Sequence, residues 1–285
     1  MKDGIFLFEQ ESDQAYGDLF KIEKEVYRDQ TEFQEIRIYD NPFLGRVLSL
    51  DGVFNSSPLM GTHYHEPMAH IPLAMLSRND DPFTVLIIGG GDFGVARQVL
   101  KHSWVDEVVL CELDPKVIQA VQEHFPEWAD CRSDSRLKVW AKDGMGFLET
   151  CNPAHFDAII VASTYPSEKA PMLVDSDFYA QVKRTLGSGG VFMQIIGDPL
   201  FYGGRWGLAL PAIKPYFKYA RPIFVPIPFY VAGCWGLLIA RNSGPLLPGR
   251  IHQEYLDKLG VETMNEDLVR GWFSLPPYRK HQIGI

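Results

Sequence analysis

Three acidic residues, Asp92, Glu112 and Asp143, stand where apolar runs end in the middle of the chain. The first lies inside a glycine cluster. Val85-Leu86-Ile87-Ile88 runs into Gly89-Gly90-Gly91-Asp92-Phe93-Gly94, and a helical pattern begins at Val95. Glycines 89, 91 and 94 satisfy a G-x-G-x-x-G spacing. In such a loop the first glycine permits a tight turn, the second admits a ligand close to the backbone, and the third lets the helix pack on the strand. A second apolar run, Val108-Val109-Leu110-Cys111, ends in Glu112, 21 residues after Gly91. A carboxylate at that distance is placed to accept from ribose hydroxyls. Asp92 changes what the loop can hold. A pyrophosphate favours the positive end of a helix, and a carboxylate there opposes it. The loop is better suited to an amine or a sulfonium, which points to S-adenosyl chemistry and away from NAD.

These residues need a scaffold that brings strand ends together. From residue 84 onward the pattern alternates. Strands are expected at 84–88, 107–112, 136–141, 156–161, 191–196, 221–227 and 234–240, and helices near 94–102, 115–124, 176–186 and 205–217. Such alternation means a mostly parallel sheet flanked by helices, an α/β fold with ligands at the carboxyl ends of the strands. Asp92, Glu112, Asp143 and the Ala162–Pro166 segment should therefore converge. Residues 5 to 55 are β-rich instead. Phe33–Tyr39 alternates as a half-buried strand, which places Gln34 on the face of Ile36 and Ile38, and Asp51-Gly52 is a tight-turn dipeptide. We expect an N-terminal antiparallel β domain over residues 1–65 and the nucleoside-binding domain over 66–285, with Asn79–Pro82 as a polar loop and 253–270 as a peripheral helical tail.

A helix is expected over 63–77, with Pro67 and Pro72 tolerated only near its start or at a kink. His63, His65 and His70 fall within it, but no metal-binding motif accompanies them, and no metal is expected. The four cysteines form no C-x-x-C pair and read as reduced thiols of a cytoplasmic protein. A net charge of −9 disfavours a nucleic-acid partner. Pro222 to Ala240 lacks any charge for 19 residues. Its prolines and glycines make two strands joined by a turn, not a membrane span.

Taken together, the motifs resemble the aminopropyltransferases of the spermidine synthase family. The resemblance runs from about Tyr27 to Ala240. It is carried by Phe33-Gln34, Gly45 with Val47-Leu48, Leu50-Asp51-Gly52, Tyr64-His65-Glu66, the Gly89–Gly94 loop, Glu112-Leu113-Asp114, Asp143-Gly144, Phe178-Tyr179 and Ile227-Pro228 with Tyr230. It implies a methyltransferase-like Rossmann domain behind the small β domain, and a homodimer or homotetramer formed partly through the N-terminal sheet. It also implies roles. Gln34 and His65 would contact the thioadenosine or the aminopropyl arm. Glu112 would bind both ribose hydroxyls. Asp143 would accept from the adenine amino group, with Gly144 close to the ring. Asp92 would hold the aminopropyl amine, and Tyr64 and Tyr230 would flank the acceptor.

The chain also departs from the family. After Asp157–Val161 the family carries Asp-Ser-Ser/Thr-Asp-Pro, but here the segment is Ala162-Ser163-Thr164-Tyr165-Pro166. The carboxylate that helps deprotonate the attacking amine is replaced by Ala162, and the second, acceptor-binding one by Tyr165. A positioned base contributes on the order of 10²–10⁴-fold. Phe93 stands where glycine is usual and should narrow the site, and Asn55 replaces a glutamine. Ser56–Met60 replaces an acidic or polar stretch, and the segment Ile195–Pro199 after Gln194 holds no glutamate to match the family's common one. Catalytic roles thus fall to Tyr64 and Asp92, with Tyr165 and Glu168 near the acceptor. The leading expectation is transfer of an alkyl group of the aminopropyl type from decarboxylated S-adenosylmethionine, or from S-adenosylmethionine, to a non-standard small-molecule acceptor. Alternatives are true polyamine aminopropyl transfer with Glu168, Asp175 or Asp198 as a relocated acid, methyl transfer, and a non-catalytic nucleoside-binding relative.

Overall fold

A computed structural model describes residues 5–10, 17–76, 82–163, 171–197, 203–246, 251–275 and 277. At 5–10, 171–172 and 203–207 only the backbone is described. The N-terminal part holds a two-stranded antiparallel ribbon, β1 (Ile5–Gln10) and β2 (Gly17–Ile22). A four-stranded antiparallel meander follows: β3 (Lys24–Gln30), β4 (Glu35–Asn41), β5 (Gly45–Leu50) and β6 (Val53–Ser56). In β4 Ile36 and Ile38 are fully buried, as alternation requires. Gln34 is not their neighbour on that face. It lies in the turn just before β4, and β4 starts two residues later than Phe33.

Helix α1 (Thr62–Leu73) follows the meander. Every residue from Tyr64 to Leu73 is buried, as befits a helix packed on several sides. It carries Pro67 and Pro72 inside the helix and ends one residue after the second. Proline there is normally costly because a backbone donor is lost. The described part of the polar segment Asn79–Pro82 is Pro82 alone.

The large sheet is formed by β7 (Phe83–Gly89), β8 (Val105–Glu112), β9 (Leu137–Ala141), β10 (Phe156–Ala162), β11 (Leu186–Gly197), β12 (Tyr219–Pro226) and β13 (Cys234–Arg241). Their order is β12-β13-β11-β10-β7-β8-β9. Strands β7 to β11 run parallel, while β13 is antiparallel to β11 and to the edge strand β12. Edge placement lets β12 carry Pro222 without breaking a ladder on both sides. Helices α2 (Gly94–Leu100), α3 (Pro115–His124), α4 (Pro126–Ala129), α5 (Gly144–Thr150), α6 (Ser176–Thr185) and α7 (Gly203–Ile213) connect the strands. Two short helices, α8 (Gln253–Lys258) and α9 (Glu266–Trp272), form the tail. Among the described residues no helix is long and apolar enough to cross a membrane.

The strand order reverses between β7 and β10, which pair side by side with Ala162 opposite Gly89. A crevice opens at the carboxyl ends at such a switch point. The β5–β6 hairpin and α1 close it from the N-terminal side.

Candidate functional site

The crevice is a cavity of about 620 Å³, within the range of small-molecule sites. One wall comes from the β meander: Gln34, Leu48, Leu50, Val53 and Asn55. The floor is Gly90, Gly91, Asp92 and Glu112. The far wall is Ala162, Ser163 and Ile195, with Tyr64, Tyr230 and Trp235 forming an aromatic corner. Four carboxylates line it, those of Glu32, Asp51, Asp92 and Glu112. Among the described residues no lysine, arginine or histidine does.

The three motif glycines answer to three different neighbours. Gly89 has φ +77° and packs against the Ser163 backbone, where a Cβ would lie 2.8 Å from Cα and N. A Cβ on Gly91 would meet the Glu112 side chain at 2.8 Å. The third glycine does not serve helix–strand packing as expected. A Cβ on Gly94 would fall 2.1–2.3 Å from the His65 imidazole. That ring takes the space because α1 crosses directly over α2.

His65 is 2% exposed, and its ring meets Trp128 edge-on. Its Nε2 lies 2.9 Å from Oδ2 of Asp92, and the Ser56 hydroxyl donates to the same oxygen. Oδ1 of Asp92 accepts the Gly94 N–H at 3.1 Å. Burial raises the carboxyl's pKa, but His65, Ser56 and the Gly94 amide outweigh it, and the net shift is downward. Asp92 is therefore a fixed negative charge at the cavity floor. The three histidines of α1 diverge. His63 Nδ1 faces the Met60 carbonyl at 3.2 Å, His65 faces Asp92, and His70 Nδ1 lies 2.9 Å from His102 Nε2.

Glu112 ends β8. Its Oε2 accepts the Gly91 N–H at 3.1 Å and its Oε1 the Asp114 N–H at 3.0 Å. Burial, with Asp114 and Asp92 nearby, still pushes its pKa up to about 7. Tyr64 is buried with its ring centroid 5.9 Å from that of Tyr230. Burial first, then Asp92, drives its phenol well above the usual range. A phenol held protonated can hydrogen-bond but cannot act as a base. Tyr230 donates to the Asn55 carbonyl at 2.8 Å, tying the aromatic corner to β6.

Other expected residues are not on the described cavity wall. Asp143 is exposed, is absent from the cavity wall, and caps α5 by accepting the Gly146 N–H at 2.7 Å. Gly144 is needed for packing: a Cβ would lie 2.3 Å from Ile88 Cγ2. Phe93 does not narrow the site. Its backbone is left-handed at φ +63°, its ring is fully buried away from the cavity wall, and Arg132 lies 5.7 Å from the ring centroid. Tyr165, Glu168 and Asp198 lie outside the described residues. Asp175 caps α6 through the Phe178 N–H and does not line the cavity.

Two partners were not anticipated from sequence. Ser56 donates to Asp92. Asp114 receives the Gln34 amide at 3.2 Å and the Thr31 hydroxyl at 2.8 Å. The Asp114-Pro115 helix start is visible in sequence, but contacts spanning 80 residues are not.

The same architecture and motifs recur in known proteins. A model of the spermine/spermidine synthase domain matches residues 61–247, and one of the spermidine synthase tetramerisation domain matches residues 6–57. A polyamine aminopropyltransferase of Caldicellulosiruptor saccharolyticus is 32% identical over 258 residues, covering 90% of this chain and 91% of its own. A spermine synthase of Arabidopsis thaliana is 29% identical over 271 residues, covering 92% and 75%. A crystal structure of spermidine synthase with the transition-state analogue AdoDATO superposes with a TM-score of 0.92 at 30% identity, covering 98% of this chain and 95% of that one. The chain belongs to the spermine/spermidine synthase family.

Proposed function

We propose that the protein transfers an aminopropyl group from decarboxylated S-adenosylmethionine to a non-standard acceptor whose nitrogen is already neutral near pH 7. The observation that carries the donor assignment is the charge of the cavity wall: four carboxylates and, among the described residues, no cationic side chain. Sulfonium and ammonium groups suit that wall. The α-carboxylate of intact S-adenosylmethionine would meet like charge without a partner. In this reading Glu112 takes the ribose hydroxyls, Asp92 holds the aminopropyl amine with His65 behind it, and Gln34 and the glycine loop position the nucleoside. The domain join lies near residue 65, inside α1. The aminopropyltransferase relatives and the AdoDATO complex of a spermidine synthase support the same donor.

The reaction is a displacement at the carbon next to sulfur. The acceptor nitrogen bonds to that carbon, the carbon–sulfur bond breaks, and its electron pair neutralises the sulfonium to a thioether. The nitrogen then loses its proton to water. Positioning and charge supply the catalysis. An amine with a pKa near 10 must first lose a proton. Ala162 and Ser163 occupy the crevice where β7 and β10 end and supply no carboxylate. Asp92 is too acidic and Tyr64 too weakly acidic to serve as that base. An acceptor of low basicity removes the requirement.

A polyamine acceptor is the second reading, favoured by Glu32 and Asp51, two wall carboxylates beyond those given to the donor. Turnover with decarboxylated donor, read as methylthioadenosine release, separates the two. Release with weakly basic amines but not with putrescine supports the first reading. Spermidine formed from putrescine above the buffer control supports the second. No release with either, alongside intact donor binding, would leave a nucleoside-binding protein.

A further inference from the structure

We infer that Asp114 is a positioning residue that fixes which end of the Gln34 amide faces the donor. The inference rests on the cavity being the donor site. The Asp114 side chain is 1% exposed. Its Oδ1 caps α3 by accepting the Lys116 N–H at 2.9 Å, and its Oδ2 accepts from Gln34 Nε2 at 3.2 Å and Thr31 Oγ1 at 2.8 Å. A carboxylate only accepts, so the Gln34 NH₂ must face it. Gln34 lines the cavity, and its amide oxygen is thereby left to accept from a ligand. The Thr31 hydroxyl secures the turn. It accepts the Phe33 and Gln34 N–H groups at 3.0 Å each while donating to Asp114. The Asp114 N–H in turn donates to Glu112. One residue therefore touches both groups that would accept from the donor, Gln34 through its carboxylate and Glu112 through its backbone N–H.

The consequence is a polarity that can be inverted. In Asp114→Asn the remaining oxygen must keep capping Lys116, which puts an NH₂ where Oδ2 was. The Thr31 hydroxyl already accepts two N–H groups and cannot take a third. The new NH₂ is satisfied only if the Gln34 amide flips, and Gln34 then presents a donor to the cavity. In Gln34→Glu with Asp114 retained, two carboxylates face each other across one hydrogen-bond distance. In the double variant the amide introduced at position 114 donates to the carboxylate introduced at position 34, and an oxygen again faces the cavity.

Isothermal calorimetry with methylthioadenosine and with decarboxylated S-adenosylmethionine tests this on the full chain. Each single variant should bind about 10- to 100-fold more weakly, the usual effect of mispairing one polar contact, and the double variant should recover most of that loss. Relative to wild type at the same pH, binding to Gln34→Glu alone should also improve as pH falls and the pair shares a proton. Because that variant leaves the α3 cap intact, it tests the idea even if Asp114→Asn fails to fold. Loss with methylthioadenosine places the group read by Gln34 on the nucleoside. Loss confined to the decarboxylated donor places it on the amine. A double variant no better than Asp114→Asn, or a Gln34→Glu whose affinity relative to wild type does not change with pH, overturns the inference. Wild-type protein that binds neither ligand overturns the donor reading and this inference with it.

Discussion

Glu112 should make donor binding weaken as the solution becomes acidic, in a range where ordinary carboxylates are silent. Its pKa is pushed up to about 7 by burial, with Asp114 and Asp92 adding repulsion. A carboxyl that accepts from two ribose hydroxyls must be ionised. Ionisation in the ligand-free protein is about one tenth at pH 6 and about nine tenths at pH 8, so affinity should fall about tenfold between pH 8 and pH 6. Binding at pH 7 should release about half a proton per ligand. Stability should show the opposite sign. The folded state holds this proton more tightly than the unfolded chain, so the Glu112 contribution to stability falls as pH rises from about 4.5 to about 7, by about 3 kcal/mol. Methylthioadenosine is the suitable ligand because it lacks the amine that Asp92 would hold. Calorimetry at pH 6, 7 and 8, in two buffers of different ionisation enthalpy, reads both affinity and protons. Glu112→Gln should bind more weakly and lose the pH dependence, since its single amide oxygen cannot accept from both Gly91 and Asp114. An affinity that is flat across this range in the wild type, with no proton released, would refute the assignment of Glu112 as the ribose acceptor.

Other perturbations follow from the same contacts. Gly94→Ala places a methyl inside the His65 ring position. It should destabilise by about 1–3 kcal/mol and, by displacing His65 from Asp92, depress kcat/KM more than an equally destabilising change elsewhere; thermal melts beside steady-state kinetics check it. Phe93→Gly relieves a left-handed backbone, worth about 1–2 kcal/mol, but empties a fully buried ring site, costing about 3–5 kcal/mol. Urea unfolding should show net destabilisation with methylthioadenosine affinity little changed, because the ring does not line the cavity. His70 is held neutral chiefly by burial, with Lys101 adding, and its pKa falls to about 3. Below pH 6.5 the unfolded chain takes up a proton that the folded state refuses, so the His70 contribution to stability should drop by about 3 kcal/mol between pH 7 and pH 4.5, against the Glu112 contribution of opposite sign. In urea titrations His70→Gln should remove that loss, so its stability at pH 4.5 relative to pH 7 should exceed the wild type's by about 3 kcal/mol.

The sheet was legible because it obeys short-range rules. Val85–Ile88 is a continuous apolar run bounded by glycine, and β7 is buried along nearly its whole length. Asp114-Pro115 signals a capped helix, and α3 begins there. Helix α5 was not legible, because Gly144-Met145-Gly146 weakens the helical pattern and Asp143 supplies the cap that offsets it. Pro67 argued against a helix interior, yet burial of α1 on nearly every face holds the helix through it. In the cavity, residue types were readable and partners were not. Asp92 announced an acid in an anion-favouring loop, but nothing local shows that Ser56, 36 residues earlier, donates to it. Phe93 looked like an obstruction because sequence gives its position in the loop and not its direction. The left-handed backbone turns the ring into the core.

Asp92 and Glu112 face one cavity, and burial opposes ionisation of both, yet they end on opposite sides of the ordinary carboxylate range. The difference lies in what donates to them. Asp92 has an imidazole, a hydroxyl and a backbone amide. Glu112 has two backbone amides and two acidic neighbours. Asp92 is thus charged before any ligand arrives, and its charge is part of what keeps Glu112 half protonated. A cationic donor reverses the balance. Its positive charge beside Asp92 offsets the field that Asp92 exerts on Glu112, and its ribose hydroxyls supply the donors Glu112 lacks. A neutral nucleoside supplies only the second. The decarboxylated donor should therefore lower the pKa of Glu112 further than methylthioadenosine does, release more protons on binding, and lose its affinity advantage over methylthioadenosine as pH falls from 8 to 6. A ratio that stays constant over that range would mean that the two carboxylates act independently.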